Sequence, residues 1–449
     1  MFVCPLEWRY GSNEIKMIFK NMYKYYVKVE IALLYGLSKS KIIPIDINIK
    51  ELEEKVKAID PSKVHIIEKK TGHEVDALVQ LLSNALGSYG SYVHLGATSN
   101  DIIDTAWALM LRDALQIIKN KLKKIIRTLI NMSIKYKDTL MIGRTHGQHA
   151  LPITLGFKLA NYVYELTRSL ERIMDVERRL IRGKISGAVG TMAAWGNKGI
   201  LVEKYTLTYL NLDPHIISTQ VAPRDGFAEL ICSLAILASQ LDRFAIEIRE
   251  LMRPEIHELI EGIPVTVGSS TMPHKKNPIL SEKISGLAKV MRSLTITALE
   301  NIPLWHERDL TNSSSERIVI PHAILITDEI LECTIKLLHN LIIDEKSMRR
   351  NLELLNGMIL SEALMIKLVE RGLPRLKAHR YLIDLVKKCL NEGISFKELV
   401  LNDEFILKYL SKKEIEALLK PENYLGEYKK LIDRAIRYAE EALRKSSCY

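Results

Sequence analysis

The segment LRDALQIIKNKLKKIIRTLINMSIKY, residues 111–136, decides the fold. Its apolar side chains fall at Leu111, Leu115, Ile118, Leu122, Ile125, Leu129, Met132 and Tyr136, in alternating steps of four and three. That is a 3.5-residue repeat, the seam of a helix lying nearly parallel to its neighbours. At about 1.5 Å per residue, 25 residues of such a helix span roughly 37 Å. The same spacing returns at Leu159, Val163, Leu166, Leu170, Ile173 and Leu180, and again at Phe227, Leu230, Leu234, Leu237, Leu241, Phe244, Ile248 and Leu251. Several rods in one chain predict a long helical bundle. Short β-branched runs such as residues 42–49 have no partners with hairpin turn signals, so the expected class is all-α.

Outward from the rods, the chain divides by its punctuation. At about 150 residues per domain, 449 residues predict roughly three units. A helical region, residues 1–96, ends near Gly96, where Thr98, Ser99, Asn100 and Asp101 supply the N-cap chemistry of the first rod. Residues 97–343 carry the long-helix bundle. Residues 344–449 read as a small helical domain, with Gly357, Gly372, Pro374 and Pro421 breaking shorter helices.

Composition excludes several classes. With 47% hydrophobic and 26% charged residues the chain is globular, and 22 Gly with 14 Pro exclude collagen-like or linker-rich designs. The net charge of +10 is compatible with nucleic acid or an anionic small molecule. Yet Lys121, Lys123, Lys124 and Arg127 sit along a helix, where a solvated face is the simpler reading. Five widely spaced cysteines without a CxxC pair give no zinc or redox motif. No apolar run reaches the roughly 18–20 residues of a membrane helix, and no signal-peptide core opens the chain. A cytoplasmic protein is expected.

Between the rods lie polar segments that a plain bundle does not need. The densest is Gly268-Ser269-Ser270-Thr271-Met272-Pro273-His274-Lys275-Lys276-Asn277-Pro278, which brings hydroxyls, a fixed cation and an amide onto one shaped loop. It has neither Walker A nor nucleophile-elbow spacing. Gly143-Arg144-Thr145-His146-Gly147-Gln148 follows the first rod. The run Trp305 to Arg317 holds Trp305, His306, Arg308, Ser313 and Arg317 together. Taken alone, residues 98–101 read as a helix cap and Arg9-Tyr10 is unremarkable.

Together these segments resemble a family. Gly-Ser-Ser-x-Met-Pro-x-Lys-x-Asn-Pro is the signature of the fumarase/aspartase superfamily, and residues 268–278 match it without a gap. Thr145-His146-x-Gln148 and Thr98-Ser99-x-Asp101 resemble its other two blocks, in the same order. Within the superfamily the chain is similar to the adenylosuccinate lyases, through Arg9-Tyr10, Gly72-His73-Glu74, Thr219-Gln220 and the block from His306 to Arg317. The resemblance runs from Arg9 to the C-terminal helices. It implies an all-α chain of three helical domains whose central bundles assemble into a homotetramer, each active site drawing on three subunits.

It also implies the chemistry: β-elimination of fumarate from adenylosuccinate, giving AMP, and from the succinyl-aminoimidazole-carboxamide ribotide. A proton must leave the carbon next to a carboxylate before the C–N bond breaks, so the site needs a base near carbon and cations around the carboxylate. By resemblance Ser269 is the base, acting as a stabilised alkoxide, with Lys275 among its stabilisers. His146 is the general acid, and His73 is a second histidine that positions substrate. Lys275 and Asn277 hold the succinyl carboxylate. Arg9, Tyr10, Arg308, Ser313 and Arg317 match nucleotide-handling positions, with guanidinium forks suited to phosphate. Gly72, Glu74, Thr98, Ser99, Gln220 and Lys283 match further substrate contacts. No metal or organic cofactor is implied, and no nucleic-acid or membrane partner.

Gly262 and Gly268 are expected to hinge the signature loop as a lid. Two departures bear on binding geometry more than on the reaction. Glu74 stands where the family usually has Asp, one methylene shorter, and Lys283 where many members have Asn and others Arg. The rival readings are another fumarate-releasing lyase (argininosuccinate lyase or aspartase), a non-catalytic helical scaffold, and a basic RNA-binding protein. The arginine block argues against the first, and Ser269, His146, Lys275 and Asn277 against the second.

Overall fold

A computed structural model describes residues 4–262, 272 and 274–446. The expected rods are present as Ser99–Lys135, Leu155–Leu180, Asp225–Leu251, Ile279–Glu300 and Thr311–His339, of 37, 26, 27, 22 and 29 residues. The longest spans about 55 Å. Leu115, Ile118, Leu122, Ile125, Val163, Leu170, Ile173, Leu234, Leu237, Leu241 and Ile248 are all fully buried, so the 3.5-residue seams are core. One seam position is polar: Glu177, midway between Ile173 and Leu180. It receives the buried Lys119 at 2.5 Å, which is why the apolar spacing skips it.

The chain folds as two compact units, each assembled from three sequence segments. One comprises residues 1–122, 169–239 and 286–332; the other comprises 123–168, 240–285 and 333–449. The expected segments 1–96, 97–343 and 344–449 divide the chain along its length, which grouping by contact does not test.

In the first unit the Met22–Lys39 and Gly199–Leu210 helices pack closely at Gly36. A Cβ there would meet the Thr206 hydroxyl at 2.1 Å, so the crossing requires glycine. In the second unit the C-terminal helices enclose a core of Leu352, Leu360, Leu364, Leu368, Phe396, Val400, Ile406 and Ile415, joined by Ile142.

Strand structure is sparse but exceeds the expectation. Leu140–Thr145 pairs antiparallel with Gln148–Thr154 as a hairpin, and Leu259–Glu261 pairs antiparallel with Leu341–Ile343. Arg182–Gly183 pairs parallel with Asp213–Pro214. The hairpin escapes a sequence reading because its turn is His146-Gly147 and not the usual Asn-Gly or Asp-Gly. The class remains all-α. Among the described residues no helix is long and apolar enough to cross a membrane.

Candidate active site

In the first unit, two helix ends meet at His73. The Val64–Thr71 helix closes on Gly72, whose φ of +69° suits a residue without Cβ. His73 then caps Glu74–Ala85, its Nδ1 accepting the Asp76 N–H at 3.3 Å. With Nδ1 accepting, the neutral ring carries its proton on Nε2, which lies 3.4 Å from the Ser99 hydroxyl and donates to it.

Ser99 opens the longest helix, and its cap is tied down from behind. Asp101 is fully buried and accepts the Thr98 N–H at 2.8 Å, the reciprocal half of a capping box. The same carboxylate takes Lys184 Nζ at 2.7 Å and the N–H groups of Ser186 and Gly187 at 2.8 and 3.0 Å.

One turn along, Asp104 accepts Arg224 Nη2 at 2.9 Å, and Arg224 Nε lies 3.0 Å from Glu316. This buried chain of charges joins three stretches that carry expected contacts. Gln220 accepts Arg308 Nη1 at 3.2 Å and donates to the Ala188 carbonyl. Arg317 reaches Glu74 at 2.5 Å. Burial lowers the Arg308 pKa, with Arg224 and Arg317 pushing the same way against Asp104 and Glu316. Burial raises Glu316 against the pull of Arg224. Glu74, Arg308, Ser313 and Arg317 line one cavity of about 270 Å³ with Tyr26 and Trp107.

Arg9 lies over the rings of Trp8 and Tyr10, 5.6 and 5.8 Å from their centroids. The turn that follows is anchored to the last long helix: Gly11 N–H donates to Glu329 at 2.7 Å and Ser12 N–H to the buried Asp328 at 2.6 Å.

Of the remaining expected residues, the second unit holds His146 and Lys275 exposed. His146 and Gly147 are the two loop residues of the hairpin, both with positive φ (+55° and +74°), the type I′ geometry that matches strand twist. A non-glycine residue held there stores strain of about 1–3 kcal/mol and presents His146 to solvent. The strand is fixed by Arg144, whose guanidinium forks onto the fully buried Glu258 at 2.7 and 2.9 Å; Asn351 donates to the same carboxylate at 2.7 Å.

Ser269 lies outside the described residues, as do Gly268, Ser270, Thr271 and Pro273, so the expected lid does too. Lys275 is exposed and Asn277 and Lys283 are half-buried. Glu261 is joined to the start of the Ile279–Glu300 helix. This fully buried carboxylate ends a strand and accepts the N–H groups of Leu280 and Ser281 at 2.7 and 3.0 Å, and the Ser281 hydroxyl at 2.7 Å.

The sequence reading did not single out Asp104, Lys184, Arg224, Glu258, Glu261 or Glu316. Each is a charge whose partner lies on another element of the chain, and spacing gives no sign that the two lie side by side. Among the described residues no group of three or more His, Cys, Asp or Glu side chains could hold a metal ion.

A family model described as Lyase matches residues 13–292, and one described as Adenylosuccinate lyase C-terminus matches residues 357–435. The adenylosuccinate lyase of Pyrococcus abyssi is 42% identical over 450 residues, covering 99% of this chain and 100% of its own length. The chain belongs to the adenylosuccinate lyase family. The family member from Archaeoglobus fulgidus is 41% identical over 447 residues, with 99% and 100% covered.

Among solved structures, a fumarate lyase from Mesorhizobium sp. BNC1 superposes with a TM-score of 0.88 at 26% identity, covering 97% of this chain and 99% of its own. A 3-carboxy-cis,cis-muconate lactonizing enzyme from Pseudomonas putida gives 0.87 at 30%, covering 97% and 98%. The fold is thus that of the fumarase/aspartase superfamily. It hosts more than one chemistry, so the reaction of an adenylosuccinate lyase has to be argued from its site.

Proposed function

We propose that this chain cleaves adenylosuccinate to AMP and fumarate in purine metabolism. The observation that carries this is the end-to-end match to adenylosuccinate lyases at about 40% identity, with the full superfamily signature at residues 268–278. The succinyl-aminoimidazole-carboxamide ribotide, with the same succinyl-amine, is the second substrate.

In the proposed mechanism Ser269, as an alkoxide, removes the proton from the succinyl carbon next to a carboxylate. Lys275 and Asn277 hold that carboxylate as it becomes the dianionic aci form. The electron pair then forms the fumarate double bond as the C–N bond breaks, and His146 gives its proton to the departing nitrogen. His73 and Ser99, already hydrogen-bonded, position the succinyl-amine with Thr98 and Gln220. Arg9, Tyr10, Arg308, Ser313 and Arg317 take the nucleotide, with guanidinium forks suited to its phosphate. The chemistry as written requires no metal or organic cofactor.

The proposed assembly is a cytoplasmic homotetramer with shared sites. His146 and Lys275 are exposed on their turns, as the chemical groups of a site completed by partner copies must be. The rods also leave apolar side chains in solvent: Ile236, Ile246, Val290, Ile296 and Leu299 are 42–68% exposed. Absorbance of adenylosuccinate mixed with the protein tests the reaction; no conversion would overturn it. Sedimentation showing a monomer would overturn the shared-site assembly.

A further inference from the structure

Glu74 is one of the expected substrate contacts, and the structure gives its carboxylate a partner. Its carboxylate is 6% exposed, lies 2.5 Å from Arg317 Nη2, and lines the same cavity as Arg308 and Ser313. Around it stand Glu68 and His65 on the Val64–Thr71 helix, the adjacent His73, and the phenols of Tyr23 and Tyr26 on Met22–Lys39. Arg317 is the strong cation among these, and its side chain is half exposed. The guanidinium assigned to a nucleotide is therefore already held by an anion of the protein.

We propose that Glu74 is the resident counter-ion of Arg317, displaced with uptake of one proton when a nucleotide phosphate takes the guanidinium, and so sets nucleotide affinity. This rests on the nucleotide reading above. A buried carboxylate deprived of its cation is costly in the charged form, and protonation relieves that cost. Before the exchange the Glu74 pKa is already raised, burial outweighing Arg317, with Glu68 adding to the rise and the two histidines opposing it. Removing Arg317 and bringing in a phosphate both push it further up. Binding that takes up a proton weakens as pH rises, across the interval between the free and the nucleotide-bound pKa of Glu74.

The test is calorimetric titration of the full-length protein with AMP, in two buffers of different ionisation heat, between pH 5 and 8. The parent and Glu74→Gln are compared, so proton release by AMP itself cancels. The expected result is proton uptake by the parent that the variant lacks. At pH 8 the variant should bind AMP about tenfold more tightly, one pKa unit's worth, and the two should converge toward pH 5. Equal proton uptake, or weaker AMP binding by the variant at pH 8, overturns the proposal, since a merely structural Glu74 would lower affinity without changing the proton count.

If Glu74→Gln does not fold, Glu74→Asp keeps the charge and shortens the reach. Tighter AMP binding there supports the exchange, and unchanged or weaker binding overturns it. Failure of the parent to cleave adenylosuccinate would overturn the nucleotide reading and the inference together. Intact cleavage with matching pH dependences overturns the inference alone.

Discussion

The His73–Ser99 corner and the His146 hairpin tip hold two histidines in opposite ways. His73, though also exposed, is fixed at both ring nitrogens, by a backbone N–H at Nδ1 and a hydroxyl at Nε2, beside a buried charge network running from Lys184 through Asp101 and from Asp104 through Arg224 to Glu316. His146 is exposed on a strained two-residue turn, and its rigidity comes from its strand, through Arg144 and the buried Glu258. The first arrangement suits recognition, where geometry must exist before substrate arrives. The second suits a group that must meet a reacting nitrogen supplied from elsewhere. The proposed division is one region that binds and another that transfers protons, brought together between copies of the chain.

The largest expected effect tests the proton-transfer side. His146→Gln, or Ser269→Ala, should lower kcat on adenylosuccinate by about 10²–10⁴, the usual contribution of a positioned acid or base, with a smaller change in KM. A fall in KM-dependent binding alone would place His146 with the binding region and break the contrast.

The hairpin's anchor comes next. Arg144→Gln leaves the Glu258 carboxylate buried without its cation, and the expected cost is about 3–5 kcal/mol in unfolding free energy, read from denaturant titration. Glu258→Gln in the same background should recover much of it. Without that recovery, the hairpin would owe its rigidity to something other than the ion pair.

The binding region should show its charge network through pH. Burial, and then the nearby Asp101, push Glu203 up to about 7. Its folded pKa thus lies above the unfolded value near 4.5, so the group costs nothing while protonated in both states and destabilises as pH rises from about 4.5 to 7. Glu203→Gln should therefore raise stability by about 3 kcal/mol at pH 8 and by almost nothing near pH 4, measured by melts at both. An equal gain at both pH values would remove Glu203 from the network.

The smallest effect expected is that of Ser99→Ala. Loss of one hydroxyl partner of His73 should raise KM by roughly two- to tenfold, in line with a hydrogen bond of about 0.5–1.5 kcal/mol. An unchanged KM would mean that the Nδ1 contact alone orients the ring.

How much was legible depended on how local the signal is. The rods were readable because a 3.5-residue seam is written along contiguous sequence, and even its one polar position, Glu177, marks a packing event. Thr98 to Asp101 read as a helix start, and it is one. The hairpin at 140–154 was not legible, because positive φ at His146 is imposed by the strand pairing and not by residue type. Nor were the ion pairs, since Asp101 and Lys184, or Arg144 and Glu258, are separated by 83 and 114 residues.

The sequence by itself determined the residue types, the order of the motif blocks and the periodicity of the helices, because each depends on neighbours within a turn or two. Tertiary structure decided which charges share a burial site, which ring nitrogen of His73 carries its proton, and that Glu74 already occupies Arg317. Those outcomes depend on distances across the fold and on removal from water, and both exist only once the chain has folded.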